Sequence, residues 1–134
     1  MVYAVIDTNV LVAAFLTRNP NSATTRIVAQ LAKGKIKPLY NDEIMAEYEE
    51  VLSRACFHIS PTRVEALIDY FRKNGISAER AEYKGLFVDE SDRVFYEICL
   101  SKEESYLVTG NLKHYPREPR VVTPAEMLEI LGEI

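Results

Sequence analysis

The chain has 134 residues, of which 48% are hydrophobic and 27% charged, and a formal net charge of −4. That length and content suit one domain, residues 1–134, able to bury roughly two-thirds of its unfolded surface without a disulfide or metal staple. No segment reaches the apolar length of a membrane span, and the acidic balance excludes coating of nucleic acid through clustered Lys and Arg, though carboxylates gathered around divalent cations can still form a local phosphate site.

The N-terminus passes from Met1 into a strand-like run without the basic, apolar and small-residue regions of a secretory signal, so a cytoplasmic protein is expected. Cys56 and Cys99 have no C-x-x-C spacing and are read as two buried thiols.

Val2 to Ile6 is a β-branched run suited to a buried strand, and "NVLVAAFLT" follows as a helix with no Gly or Pro to break it. Asp7 therefore falls at a strand's C-terminal end. Asn21 and Ser22 can cap a second helix with Ile27, Val28 and Leu31 at helical spacing, stopped by Gly34. "KIKPLYN" reads as a strand. Asn41 or Asp42 caps a helix whose apolar face holds Ile44, Met45, Tyr48, Val51 and Leu52, with Glu47 and Glu49 at opposite borders. Ser60-Pro61 and Thr123-Pro124 each place a capping hydroxyl before a proline at the first helical position, and Gly75 ends the helix that starts at Pro61.

An edge strand is expected near Glu82 to Val88, then a helix from about Ser91 to Lys102, strands "SYLVT" and "RVV", and a final helix. Alternating short strands and helices imply a mostly parallel sheet covered on both faces.

Ligands in such sheets bind beyond the carboxyl ends of the strands, where strand order reverses. An Asp between strand and helix has an ordinary role as an N-cap, and that role is open to Asp7, Asp89 and Asp92. Helical geometry does not distinguish Glu47 from Glu49. "YLVTGN" ends a second strand in Thr109, Gly110 and Asn111, where glycine permits a sharp turn. Carboxylates converging on one crevice repel unless cations hold them, and hard oxygen donors without Cys or His point to Mg²⁺ or Mn²⁺.

The segments "VIDTNVLVAAFL", "EIMAEYEEVLSR", "DESDRVFYEICL" and "YLVTGNLKHYP", in this order and separation, resemble the PIN-domain family, and specifically the VapC-like ribonuclease toxins of toxin-antitoxin pairs. The resemblance covers nearly the whole chain. It implies a three-layer α/β/α sandwich with strand order 3-2-1-4-5, with catalytic positions at Asp7, Glu47, Asp92 and Asn111. It selects Glu47 over Glu49. Thr8 or Asn9, and Thr109, would support these carboxylates from behind, and Asp89 matches a frequent acidic position but suits a helix start better.

By this resemblance Asp7 and Asp92, with Glu47, would hold Mg²⁺ or Mn²⁺ for hydrolysis of RNA phosphodiester bonds, and Glu47 would position or deprotonate the attacking water. Arg18, Arg93, Lys113 and His114 are phosphate-contact candidates. Expected partners are RNA, an antitoxin protein and a second copy of the chain. Asn111 departs from the family's usual Asp and lowers the formal charge of the site from four negatives to three. That departure admits an alternative, a degenerate PIN domain that binds RNA or protein without turnover. A phosphatase of the aspartyl-nucleophile kind also begins with a strand-end Asp, but it requires a second acid where this chain has Asn9.

Overall fold

The computed structural model describes residues 1–133. Strands β1 (Val2–Ile6), β2 (Ile36–Tyr40), β3 (Ile76–Ser77), β4 (Ser105–Val108) and β5 (Val121–Val122) form one sheet in the order β3-β2-β1-β4-β5, every pairing parallel. This is the expected order. Helices α1 (Thr8–Leu16), α2 (Ala23–Ala32) and α6 (Pro124–Ile130) pack as one group, with α2 against both others. Helices α3 (Asp42–Leu52), α4 (Pro61–Asn74) and α5 (Arg93–Leu100) form a second group, completing an α/β/α sandwich. Among the described residues, no helix is long and apolar enough to cross a membrane.

The core is what the β-branched strands and helix stripes dictate. Ala4, Val5 and Ile6 of β1 and Leu107 and Val108 of β4 are fully buried, with Ile27, Ile44, Tyr48, Phe71, Phe95 and Ile98 covering them from the helices. A central parallel strand is covered on both faces, so its side chains read as a continuous apolar run without alternation. Two glycines are required by geometry. Gly34 leaves α2 at φ +75°, and a Cβ at Gly75 would lie 2.6 Å from the carbonyl oxygens of Phe71 and Pro38, so only glycine lets α4 close onto β2.

The edge strand is not at Glu82 to Val88, where it is expected. Residues 82–88 do alternate inward and outward, with Leu86 96% and Val88 77% exposed, but they lie against no strand. Helix α5 satisfies this segment instead: Glu97 accepts from the Tyr83 N–H at 2.8 Å, and Arg93 donates to the Tyr83 carbonyl at 2.6 Å. The Tyr83, Phe87 and Tyr96 rings pack edge to face or tilted around that anchor. With the Tyr83 backbone groups met by side chains and alternate residues open to solvent, the segment needs no ladder. Sheet pairing falls instead to Ile76–Ser77, directly after α4. Helix α5 is also shorter than expected, beginning at Arg93 after one 3₁₀ turn over Glu90–Asp92.

Candidate metal centre at the strand reversal

Strand order reverses between β1 and β4, and their ends are tied together there. The Asp7 N–H donates to the Val108 carbonyl at 2.9 Å, and the Thr109 N–H donates to the Val122 carbonyl at 2.9 Å. Asp7 and Thr109 thus extend the sheet by one residue, side by side. Thr109 donates its hydroxyl to Asp7 Oδ2 at 2.8 Å and accepts the Asn111 N–H at 3.0 Å. Across the same gap, the Gly110 N–H donates to Asn9 Oδ1 at 3.0 Å. Gly110 makes this turn without a positive φ, and a Cβ there would meet Asn9 only at ordinary contact distance, so the expected conformational need for glycine is absent.

Capping separates two sets of polar residues. Ser22, Asn41, Ser60, Asp89 and Thr123 each accept a backbone N–H from the turn they start. Asp7, Asp92 and Asn111 occupy the same helix-entry positions and make no side-chain cap. A cap contributes about 1 kcal/mol, so leaving three entry positions uncapped forgoes local stability. Asp89 bonds the Ser91 N–H and hydroxyl through one oxygen and sits on the exposed rim.

Asp7 is 5% exposed. Its Oδ2 accepts from Thr109, from Tyr115 at 3.0 Å and from Asn9 at 3.2 Å, whereas no side-chain donor reaches Oδ1 among the described residues. The side-chain donors thus gather on one oxygen and leave the other without one. Glu47 comes to the same place because Tyr48, fully buried beside it on α3, donates to the carbonyl of Ile6 at 2.5 Å and pins the helix to the end of β1. Glu47 then accepts from the Thr8 hydroxyl, while Glu49 faces solvent. Asp92 enters from the turn before α5, 3.1 Å from His114 Nδ1.

Burial raises the pKa of all three carboxyl groups. For Asp7 the hydrogen bonds from Thr109 and Tyr115 oppose that rise without cancelling it. Glu47 is raised by burial and then, after relief from Thr8, by the charges of Asp7 and Asp92. Asp92 is raised by burial, then by Asp7 and Asp89, with partial relief from His114. No Lys or Arg pairs with any of the three among the described residues.

This donor set fits a hard divalent cation. The oxygens are anionic, mutually repelling and partly dehydrated. Among the described residues, no three His, Cys, Asp or Glu side chains are gathered closely enough to cage one ion. The fit is therefore to an ion that keeps several waters and takes one or two carboxylates, as Mg²⁺ does, and not to a zinc-type cage.

The other candidates divide. Arg18 and Lys113 are exposed and form no ion pair among the described residues, so they remain free to meet phosphate. Arg93 does not: it pairs with Glu90, donates to Tyr83 and stacks on Phe87, and so acts as a tie for the preceding loop. Cys99 is buried as expected, but Cys56 is exposed on a 3₁₀ turn. Tyr115, 7% exposed and bonded to Asp7, was not legible as a site residue, because nothing in "HYP" reports the distant partner of its hydroxyl.

A sequence search of curated proteins finds no match. Among solved structures, the chain resembles the crystal structure of VapBC2 from Rickettsia felis bound to a DNA fragment from its promoter. The two share 20% identity over 92% of this chain and 97% of that one, with a TM-score of 0.56, a likeness of fold. A sequence family described as PIN domain matches residues 3–113, a span that contains Asp7, Glu47, Asp92 and Asn111; the chain belongs to the PIN domain family.

Proposed function

We propose that the protein is a metal-dependent endoribonuclease that hydrolyses RNA phosphodiester bonds at the crevice between β1 and β4. The observation that carries this reading is the set of three partly dehydrated carboxylates, Asp7, Glu47 and Asp92, which no Lys or Arg pairs with among the described residues. A bound Mg²⁺ or Mn²⁺ would polarise the scissile phosphate and make the attacking water more acidic. Asp7 Oδ1 and Asp92 would hold the ion, with Thr109, Tyr115 and Asn9 keeping Asp7 in register. Glu47, raised in pKa, sits where it can orient that water or take its proton. Hydrolysis by external water leaves the 2′-hydroxyl unused, so no 2′,3′-cyclic phosphate forms; with the 3′-oxygen as leaving group, the products would carry a 3′-hydroxyl and a 5′-phosphate. Arg18 and Lys113 would steer the phosphate backbone toward the crevice.

The test is cleavage of single-stranded RNA in Mn²⁺ by native protein and by Asp7→Ala and Asp92→Ala. Loss of metal-assisted charge stabilisation is expected to cost on the order of a thousandfold in rate. Unchanged cleavage in both variants would refute the proposal.

We extend it to a toxin-antitoxin role, supported by family membership and by likeness to VapBC2, with an antitoxin protein and a second copy of the chain as partners. Asn111 favours one rival reading. An amide brings no charge, so a PIN domain that binds RNA or protein without turnover is the alternative, and Mn²⁺-dependent turnover by the native chain separates the two.

A further inference from the structure

His114 stands between two residues of the site. Its Nδ1 is 3.1 Å from Asp92 Oδ2 and its Nε2 is 3.0 Å from Asn111 Nδ2. An ionised carboxylate only accepts hydrogen bonds and an amide nitrogen only donates them. A neutral imidazole meets both demands in one tautomer, with a proton on Nδ1 toward Asp92 and a bare Nε2 toward the amide. The reverse arrangement would set the bare Nδ1 lone pair against a carboxylate oxygen.

We propose that His114 is a positioning residue that fixes the Asn111 amide, holding its nitrogen on the ring and leaving Oδ1 for the acidic crevice. The inference rests on the nuclease reading above, and it supplies what that reading lacks at this position. An unrestrained amide offers a cation oxygen or N–H with nearly equal ease, and N–H repels it. A clamped amide offers oxygen alone, so Asn111 serves as a neutral member of the donor set. A ligand's orientation is commonly fixed from behind in this way. Asp92 gains from the same ring, since Nδ1–H steadies Oδ2.

Two measurements test the assignment. In the metal-free protein with a neutral ring, ¹⁵N chemical shifts of His114 should report the Nδ1–H tautomer. An Nε2–H tautomer would overturn the assignment, because the ring would then call for the amide oxygen. The second is a calorimetric cycle of Mn²⁺ binding by native protein, His114→Ala, Asn111→Asp and the double variant. Removing the ring from the native site should weaken Mn²⁺ by about tenfold. In the Asn111→Asp background the loss should be at least about threefold smaller, because a carboxylate presents oxygen whichever way it turns. Equal losses in both backgrounds would mean that His114 acts only through Asp92, and would overturn the proposal. Failure of the native protein to bind Mn²⁺ would instead sink the nuclease reading, while the ring tautomer still decides which way the amide is held.

Discussion

Asp7 and Glu97 are equally hidden, each 5% exposed, and their acidities move in opposite directions. Burial pushes both up. For Glu97 the Tyr83 N–H and the Arg80 guanidinium, 2.6 Å away, more than offset that push and hold it below the usual range. Asp7 receives neutral donors only and stays high, and its charge raises Glu47 and Asp92 in turn. Solvent exposure is thus the same, but Asp7 lies deeper among protein atoms, whereas Glu97 lies nearer the surface with a guanidinium supplied by the chain. One carboxylate is a finished structural element, while the other has no Lys or Arg partner among the described residues.

The contrast can be broken from either side, most forcefully through Glu97. Glu97→Ala strands Arg80 and the Tyr83 N–H and should lower stability by about 3 kcal/mol near neutral pH, the low end for a broken pair because Arg80 is partly exposed. Thermal denaturation checks this, and a loss well under 1 kcal/mol would show the pair to be incidental.

Saturating Mn²⁺ is the matching experiment at the other centre. At roughly 100 times its dissociation constant it should stabilise the native protein by about 2.7 kcal/mol. Asp7→Ala should abolish that rise, and an equal rise in the variant would put the ion elsewhere.

Asp7→Asn sharpens the comparison further, since it removes a buried negative charge while keeping an acceptor for Thr109. In the absence of metal it should raise stability by about 1 kcal/mol at neutral pH, the usual trade of function for stability. The sign follows from linkage. Asp7, Glu47 and Asp92 have folded pKa values above their unfolded ones, so their contribution is fully present below the unfolded value of about 4 and is lost as pH rises through the folded values. Glu97 contributes in the opposite sense, present above its unfolded value and lost as pH falls through its lowered one. Melting curves across that range should therefore show a weaker high-pH decline in Asp7→Asn and a weaker low-pH decline in Glu97→Gln. Tyr115→Phe is the mildest probe: it deletes one of three bonds to Asp7 Oδ2, should cost about 1 kcal/mol or less, and should move Asp7 further upward in pH titration.

Much of this was legible along the chain. Four of the five strands, the capped helix starts at Ser22, Asn41, Ser60 and Thr123, and the placement of Asp7 and Asn111 at strand ends all follow from local pattern. The strand expected at residues 82–88 is absent, because local composition says nothing about whether another strand or the side chains of α5 will meet the backbone. Arg93 looked like a free cation for the same reason, since its partners Glu90, Tyr83 and Phe87 define a local cluster that no spacing announces.

The linear sequence fixed which groups were available: carboxylates at strand and helix ends, apolar runs to bury the sheet, and prolines and hydroxyls to start helices. Folding decided which of them were used up. Asp89 caps its turn and Asp92 does not; Glu47 turns inward because Tyr48 anchors α3 while Glu49 stays in water; Tyr115 reaches Asp7 across 108 positions of chain. Each of those outcomes depends on electrostatic and hydrogen-bond partners that are remote in sequence, and such energies fall off with distance in space, which residue order alone does not encode.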